Sequence, residues 1–174
     1  MLTGVELRPL LPGDVDAVLA MRLRNRTHFL TGEPEREDEF FTEVAQRQAL
    51  EALARDRLAG TREQFGVFVD GTLVGYVSLS QIFRGGFQNC YLGYAIDRDH
   101  TGRGLATTAI AAAVEHAWSL GLHRVQANVA TTNHASMAAL RKNGFRHEGT
   151  ALRYLHIGGA WTDHEMFAKT VEEA

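Results

Sequence analysis

The chain has 174 residues, 45% of them hydrophobic and 22% charged, enough apolar material for one domain with a core of its own. A formal net charge of −3 and a pI near 6.2 exclude a general nucleic-acid binder, which carries a basic excess or a clustered basic face. Cys90 is the single cysteine and cannot close an internal disulfide, no apolar run is as long as a membrane span, and the start from Met1 to Glu6 lacks signal-peptide regions, so a cytoplasmic protein that contacts no membrane is expected.

Val5 to Leu10 alternates apolar and polar residues and reads as a strand. Leu11-Pro12-Gly13-Asp14 then starts a helix with Asp14 as N-cap and an apolar stripe of Val15, Val18 and Leu19, which Thr31-Gly32-Glu33-Pro34 ends after the Arg22 to Leu30 region. A second helix is predicted over roughly Glu39 to Asp56, with Phe41, Val44, Ala45, Leu50 and Leu53 facing inward. The acidic cluster Glu33, Glu35, Glu37, Asp38 and Glu39 between the two suits a first helical turn and a solvated segment. From Gln64 the period becomes that of strands: Phe65 to Val69, the turn Asp70-Gly71, and Thr72 to Leu79 predict a hairpin, and after Arg84 to Asn89 a further strand covers Cys90 to Ile96.

Thr101-Gly102-Arg103-Gly104-Leu105-Ala106 follows that strand and opens an alanine-rich helical pattern. Glycines at a helix entry let the backbone turn tightly and aim several unpartnered N–H groups at one point, where the helix dipole adds positive charge, so the segment suits a diphosphate. The alternative is an ordinary turn and helix boundary. It is not a Walker A loop, because Leu105-Ala106 follows Gly104 where Lys-Ser or Lys-Thr is needed, and it lacks the third glycine and early βαβ unit of a dinucleotide fingerprint. The eight histidines show no HExxH or paired Cys/His spacing, so no metal site is expected.

The next helix carries Leu105, Ala109, Ile110, Ala113, Val114, Ala117 and Trp118 inward and ends at Gly121. Val125 to Val129 forms a strand, which makes a right-handed crossover with parallel strands. Asn133-His134-Ala135-Ser136 starts a helix that runs to a cap at Gly144, and a hairpin closes the chain, Arg146 to Ile157, Gly158-Gly159, and Trp161 to Thr170.

This order resembles the GCN5-related N-acetyltransferase (GNAT) superfamily, whose phosphate loop reads Gln/Arg-x-x-Gly-x-Gly/Ala. The segment beginning at Thr101 fits it at Gly104 and Ala106 and departs at Thr101. Asn133-x-x-Ser136 and Gly144-Phe145-x-x-x-Gly149 are similar to two further motifs of the superfamily, and Tyr154 to His164 resembles the closing hairpin of its RimJ/RimL type, which acetylates ribosomal-protein N-termini. The resemblance spans about Leu7 to Lys169 and implies one α/β domain over 1–174, with a mixed sheet of about seven strands, about four flanking helices, and two central parallel strands splayed apart.

The resemblance also assigns residues. Acetyl-CoA would enter the splay between Tyr91–Ile96 and Val125–Val129, with backbone groups of Tyr94, Ala95 and Ile96 on pantetheine and thioester. The N–H groups of Gly102, Arg103, Gly104, Leu105, Ala106 and Thr107, beside Thr101, would hold the diphosphate. Arg103 pairs with a phosphate or is a solvated charge, and Asn133 combines helix capping with contact to the pantetheine arm. Ser136 is the implied donor to the departing thiolate, with Tyr154 as a second candidate or a packing residue. Glu63, with Glu148 and Asp163 as weaker alternatives, occupies the place of a general base or is an exposed loop glutamate.

The acceptor amine must be neutral to attack. An α-amino group of pKa roughly 7.7 to 8.0 is about 10% neutral at pH 7, whereas a lysine near 10.4 is neutral at a few parts in ten thousand, a difference of roughly 3.4 kcal/mol. One carboxylate acting through water suffices for an N-terminus. Acetyl transfer from acetyl-CoA to a protein N-terminal amine, such as that of a basic ribosomal protein drawn by the acidic cluster, is therefore expected, with a homodimer implied by the RimL type alone. Antibiotics, polyamines or amino acids as acceptors, or a non-catalytic CoA sensor, are the alternatives. No metal and no covalent enzyme intermediate are expected, since no histidine is spaced to activate Cys90.

Overall fold

In the computed structural model, which describes residues 4–173, seven strands form one mixed sheet in the order β1-β2-β3-β4-β5-β7-β6. The strands are β1 (Val5–Pro9), β2 (Glu63–Val69), β3 (Thr72–Ser80), β4 (Asn89–Ile96), β5 (Arg124–Ala130), β6 (Arg146–Ile157) and β7 (Ala160–Thr170). The helices are α1 (Val15–Arg24), α2 (Arg26–Phe29), α3 (Glu43–Leu58), α4 (Leu105–Ser119) and α5 (His134–Lys142). The expected hairpin forms at Asp70 and Gly71, whose φ values of 48° and 79° give the left-handed pair that matches strand twist.

One strand pair is parallel, β4 with β5, and it is paired only at Asn89↔Arg124, Cys90↔Val125 and Tyr91↔Gln126. Beyond that point β4 keeps its other partner, β3, as far as Ile96, and β5 keeps β7 as far as Ala130. Each strand is thus held on its outer edge while the inner edges part. The sheet opens as a wedge because its two halves are separately hydrogen-bonded.

Two apolar clusters form the core. The larger packs α4 and α5, through Ile110, Val114 and Leu140, against Val67, Val77, Val125 and Phe167; the smaller packs Val18, Met21, Phe29 and Leu50 of the first three helices against Phe68, Leu73 and Tyr76. Tyr76 and Val77 are neighbours that point to opposite faces, as strand alternation requires.

Three details of the N-terminal half differ from expectation. Asp14 makes no side-chain cap to α1; its carboxylate instead takes a bidentate bond from Arg8, at 2.9 and 2.7 Å, and the Leu11 N–H at 2.8 Å. The single first helix is broken at Asn25, which is fully buried, donates Nδ2 to the Met21 carbonyl and accepts the Arg98 N–H at 2.9 Å through Oδ1. The second long helix starts at Glu43, capped by Thr42, after a separate 3-10 turn at Asp38–Phe41. Val44 is consequently exposed, and Gln46 is buried with its amide on the Phe40 carbonyl at 2.6 Å.

Candidate active site

The wedge opens into a cavity of about 470 Å³. Its walls come from the end of β4 (Leu92 to Ile96), the end of β5 (Ala127 to Ala130), the loop and first turn at Thr101, Gly102 and Gly104 to Thr107, one face of α5, and Phe29 and Thr31 to Glu33 with Tyr76. The last group belongs to the face of the sheet covered by α1 to α3, and the α5 face to the opposite side. The cavity therefore passes through the sheet, so a ligand on one face can meet a ligand on the other.

Main chain dominates the α4 side. Gly104 has φ 78°, a conformation a side chain rarely adopts, and Thr108 N–H is the first to close a helical bond, onto the Gly104 carbonyl at 3.0 Å. Among the described residues no acceptor meets the N–H groups of Gly102 to Thr107. Such a row of free donors at a helix N-terminus fits a diphosphate. The inner edges of β4 beyond Tyr91 and of β5 beyond Gln126 likewise lack a strand partner, so an extended amide-bearing arm can bond there as an added strand does. Both features fit coenzyme A.

A buried tie fixes this loop. Asp97, fully buried just after β4, receives Arg24 Nε at 2.6 Å and Arg24 Nη2, and its other oxygen takes the Asp99 N–H at 3.0 Å. Burial alone would raise the Asp97 carboxyl, but the hydrogen bonds from Asp99 and Arg24 outweigh it and hold it below the usual carboxylate range. The same segment is gripped by Asn25, so the break in the first helix is what reaches the phosphate loop.

The hydroxyls of Tyr94 and Ser136 lie 2.5 Å apart inside the cavity, with the Ser136 N–H bonded to Asn133 Oδ1 at 3.1 Å. Burial pushes the Tyr94 hydroxyl up to about 12, opposed by the bond to Ser136, so it stays protonated and able to donate. Among the described residues the lining holds one lysine, Lys142 on the α5 side, and one carboxylic acid, Glu33 on the α1 side. Ala135, Ala138, Ala139 and Lys142 fall at i, i+3, i+4 and i+7, where the alanines leave room and the lysine supplies charge for an anionic cofactor.

Of the residues singled out from sequence, Tyr94, Ala95, Ile96, Thr101, Gly102, Gly104, Leu105, Ala106, Thr107, Asn133 and Ser136 line the cavity. Arg103 does not; its guanidinium turns back to the Asp99 carbonyl at 3.1 Å. Tyr154 stands behind the wall, its hydroxyl accepting Asn128 Nδ2 at 2.7 Å while Asn128 lines the cavity. Glu63 is not the exposed loop glutamate of the alternative reading, and it does not line the cavity; it is buried against Arg57 Nε at 3.1 Å and near His116 Nε2 at 3.8 Å. Glu148 pairs with Arg124 and Arg146, and Asp163 accepts the Arg153 N–H at 2.7 Å; neither reaches the cavity. Cys90 is fully buried, and burial pushes its thiol up to about 12, which suits packing and not nucleophilic attack.

Sequence reading missed Lys142, the side chain of Tyr94, and the cluster of Glu33 with Arg22 and Tyr76. The i, i+7 spacing could have found the first. No local signal links Glu33 to a tyrosine 43 positions later.

Comparison with known proteins agrees with this geometry. The family described as acetyltransferase (GNAT) domain matches residues 5–146. The chain is 37% identical to the probable N-acetyltransferase YjcK of Bacillus subtilis, covering 97% of this chain and 96% of that one. It is 36% identical over 117 residues to the [ribosomal protein uS5]-alanine N-acetyltransferase of Escherichia coli, covering 66% and 60% of the two chains. Mycobacterium smegmatis RimJ, solved in complex with CoA-disulfide, superposes with a TM-score of 0.93 at 32% identity, over 97% of this chain and 83% of that one. The wedge, the free N–H row and these matches lead to one conclusion: the chain belongs to the GNAT acetyltransferase family and is an N-acetyltransferase that takes its acetyl group from acetyl-CoA.

Proposed function

We propose that this enzyme acetylates the N-terminal α-amine of a protein, of the kind a ribosomal protein presents. The observation that carries the reading is the 36% identity to a relative whose name specifies an alanine of ribosomal protein uS5. The cavity supports it, since it opens through the sheet to the Glu33 side, where a chain end can enter while the cofactor occupies the other face. Glu35, Glu37 and Glu39 are exposed and carry no ion pair among the described residues, which leaves a negative rim for a basic polypeptide.

Bound acetyl-CoA supplies an activated acyl carbon, whose bond to sulfur breaks as the bond to nitrogen forms. The free N–H groups of Gly102 to Thr107 hold the diphosphate, and the unpartnered edges of β4 and β5 fix the arm, so main chain sets the position of the reacting carbon. Ser136, backed by Tyr94, donates a hydrogen bond to the departing sulfur. A thiol of pKa about 8.5 needs only that mild help, and the proton comes through solvent. Among the described residues no carboxylate other than Glu33 lines the cavity, so the proton lost by nitrogen goes to water, which an α-amine already partly neutral tolerates.

Acetyl transfer to peptides beginning with Ala, Ser, Met and Gly, beside a lysine-only peptide and an aminoglycoside, tests the reading. An α-amine peptide is expected to exceed the lysine-only control in kcat/KM by about a hundredfold or more, as the free-amine fractions dictate. Equal or faster turnover of the lysine peptide or the aminoglycoside contradicts it.

A further inference from the structure

Among the described residues Glu33 is the one acid lining the cavity, and its carboxylate is already held by two donors from different elements. Arg22 Nη1 lies 2.9 and 2.8 Å from its two oxygens, and the buried Tyr76 hydroxyl donates to Oε1 at 2.5 Å. Arg22 also stacks over the Tyr76 ring, 4.8 Å from its centroid. Burial and the neighbouring Glu33 charge push the Tyr76 hydroxyl up, so it stays a donor. Two donors fill Oε1 but only one meets Oε2, and a carboxylate oxygen has two lone pairs. Arg22 Nε is buried without an acceptor, so the cluster is not closed on itself.

We propose that Glu33 is the anchor for the acceptor amine, with Oε2 accepting an N–H of the incoming nitrogen. This deepens the proposed function and rests on it for the class of amine. The geometry suits the chemistry in two ways. Tyr76 pairs with Ala95 across the β3–β4 ladder, so the anchor stands beside the part of β4 whose free edge faces the wedge. Arg22 compensates the carboxylate, which can then hold a neutral amine as a hydrogen-bond donor without locking it as ammonium, the form that cannot attack. Glu33 is thereby a binding residue and not the general base.

The test uses E33A and E33Q with two acceptors, a tetrapeptide beginning with Ala and spermidine, and with the desamino form of the same peptide as an inhibitor. The wild type is expected to bind the amino peptide about tenfold or more tightly than the desamino form in the presence of CoA, and E33A is expected to abolish that preference. In E33A the acceptor KM should rise about tenfold to a hundredfold while the Kd for acetyl-CoA stays within about twofold; E33Q, whose single amide oxygen can serve Tyr76 and the amine only as Arg22 gives up its bond, should recover a small part of the loss. A merely structural role would lower the affinity for both peptides and for acetyl-CoA together. Unchanged acceptor KM in E33A and E33Q, for whichever amine the wild type acetylates, overturns the proposal. Transfer to spermidine but to no peptide sinks the N-terminal reading alone, with Glu33 still judged on spermidine, and transfer to neither overturns both.

Discussion

The two ends of the cavity are built by different means. The cofactor end is main chain: a left-handed glycine, a row of free N–H groups and two unpaired strand edges, with alanines on α5 keeping the space open. The end proposed for the acceptor is side chain: Glu33, Arg22 and Tyr76 are drawn from a loop, a helix and a strand and bond to one another. Main-chain recognition tolerates substitution of most side chains and serves one constant ligand. A side-chain cluster can change by single residues, which is how one cofactor frame comes to serve many amines.

The largest effect is expected where the two ends are tied together. R24M leaves the Asp97 carboxylate buried without its cation and should cost about 3 kcal/mol of unfolding free energy, with D97N in the same chain restoring part of it; urea melts of the three variants measure this. Because the folded Asp97 carboxyl is depressed, its contribution is complete above the unfolded value of about 3.9 and is lost as pH falls below it through the folded value, so the wild type should lose more stability than D97N on acidification over that range. A fall in stability that is the same in both would separate Asp97 from the tie.

G104V comes next, since valine in a left-handed conformation is strained and its side chain crowds the N–H row; the Kd for acetyl-CoA by calorimetry should rise about a hundredfold with the acceptor end unaltered. S136A should lower kcat about tenfold, by removing one donor at the sulfur, whereas E63Q should leave kcat within about twofold because Glu63 lies outside the cavity. A large kcat loss in E63Q would restore it as a base. The smallest effect belongs to the rim: E35Q/E37Q should raise the KM of a Lys/Arg-rich peptide about twofold to threefold at low salt and not at high salt. Salt-independent KM would remove steering from the acceptor end.

The same contrast explains what the sequence discloses. Gly102, Gly104 and the alanine period of α4 are local, so the helix, its entry and the crossover to β5 can be read from adjacent residues. The wedge itself follows from family resemblance, since nothing in Tyr91 or Gln126 announces that pairing stops there. Gln46 and Asn25 look like surface residues and are buried because each finds a partner away from its own helical turn, Phe40 six residues back and Arg98 73 residues on, while Val44 looks like core and is exposed because the preceding turn sets a different helix phase. Glu63 is buried for a similar reason: its partners, Arg57 and His116, come from two helices on either side of β2 in the sequence. Ion pairs between distant segments have no sequence period.

Amide hydrogen exchange with and without acetyl-CoA probes the central claim most directly, because it reads main-chain N–H groups one by one. New protection is expected at Gly102 to Thr107 and at the free edge of β4 from Leu92 to Ile96, with no change at Glu63 or along α3. Binding that leaves those amides exchanging as before, or that protects a different surface, would contradict it.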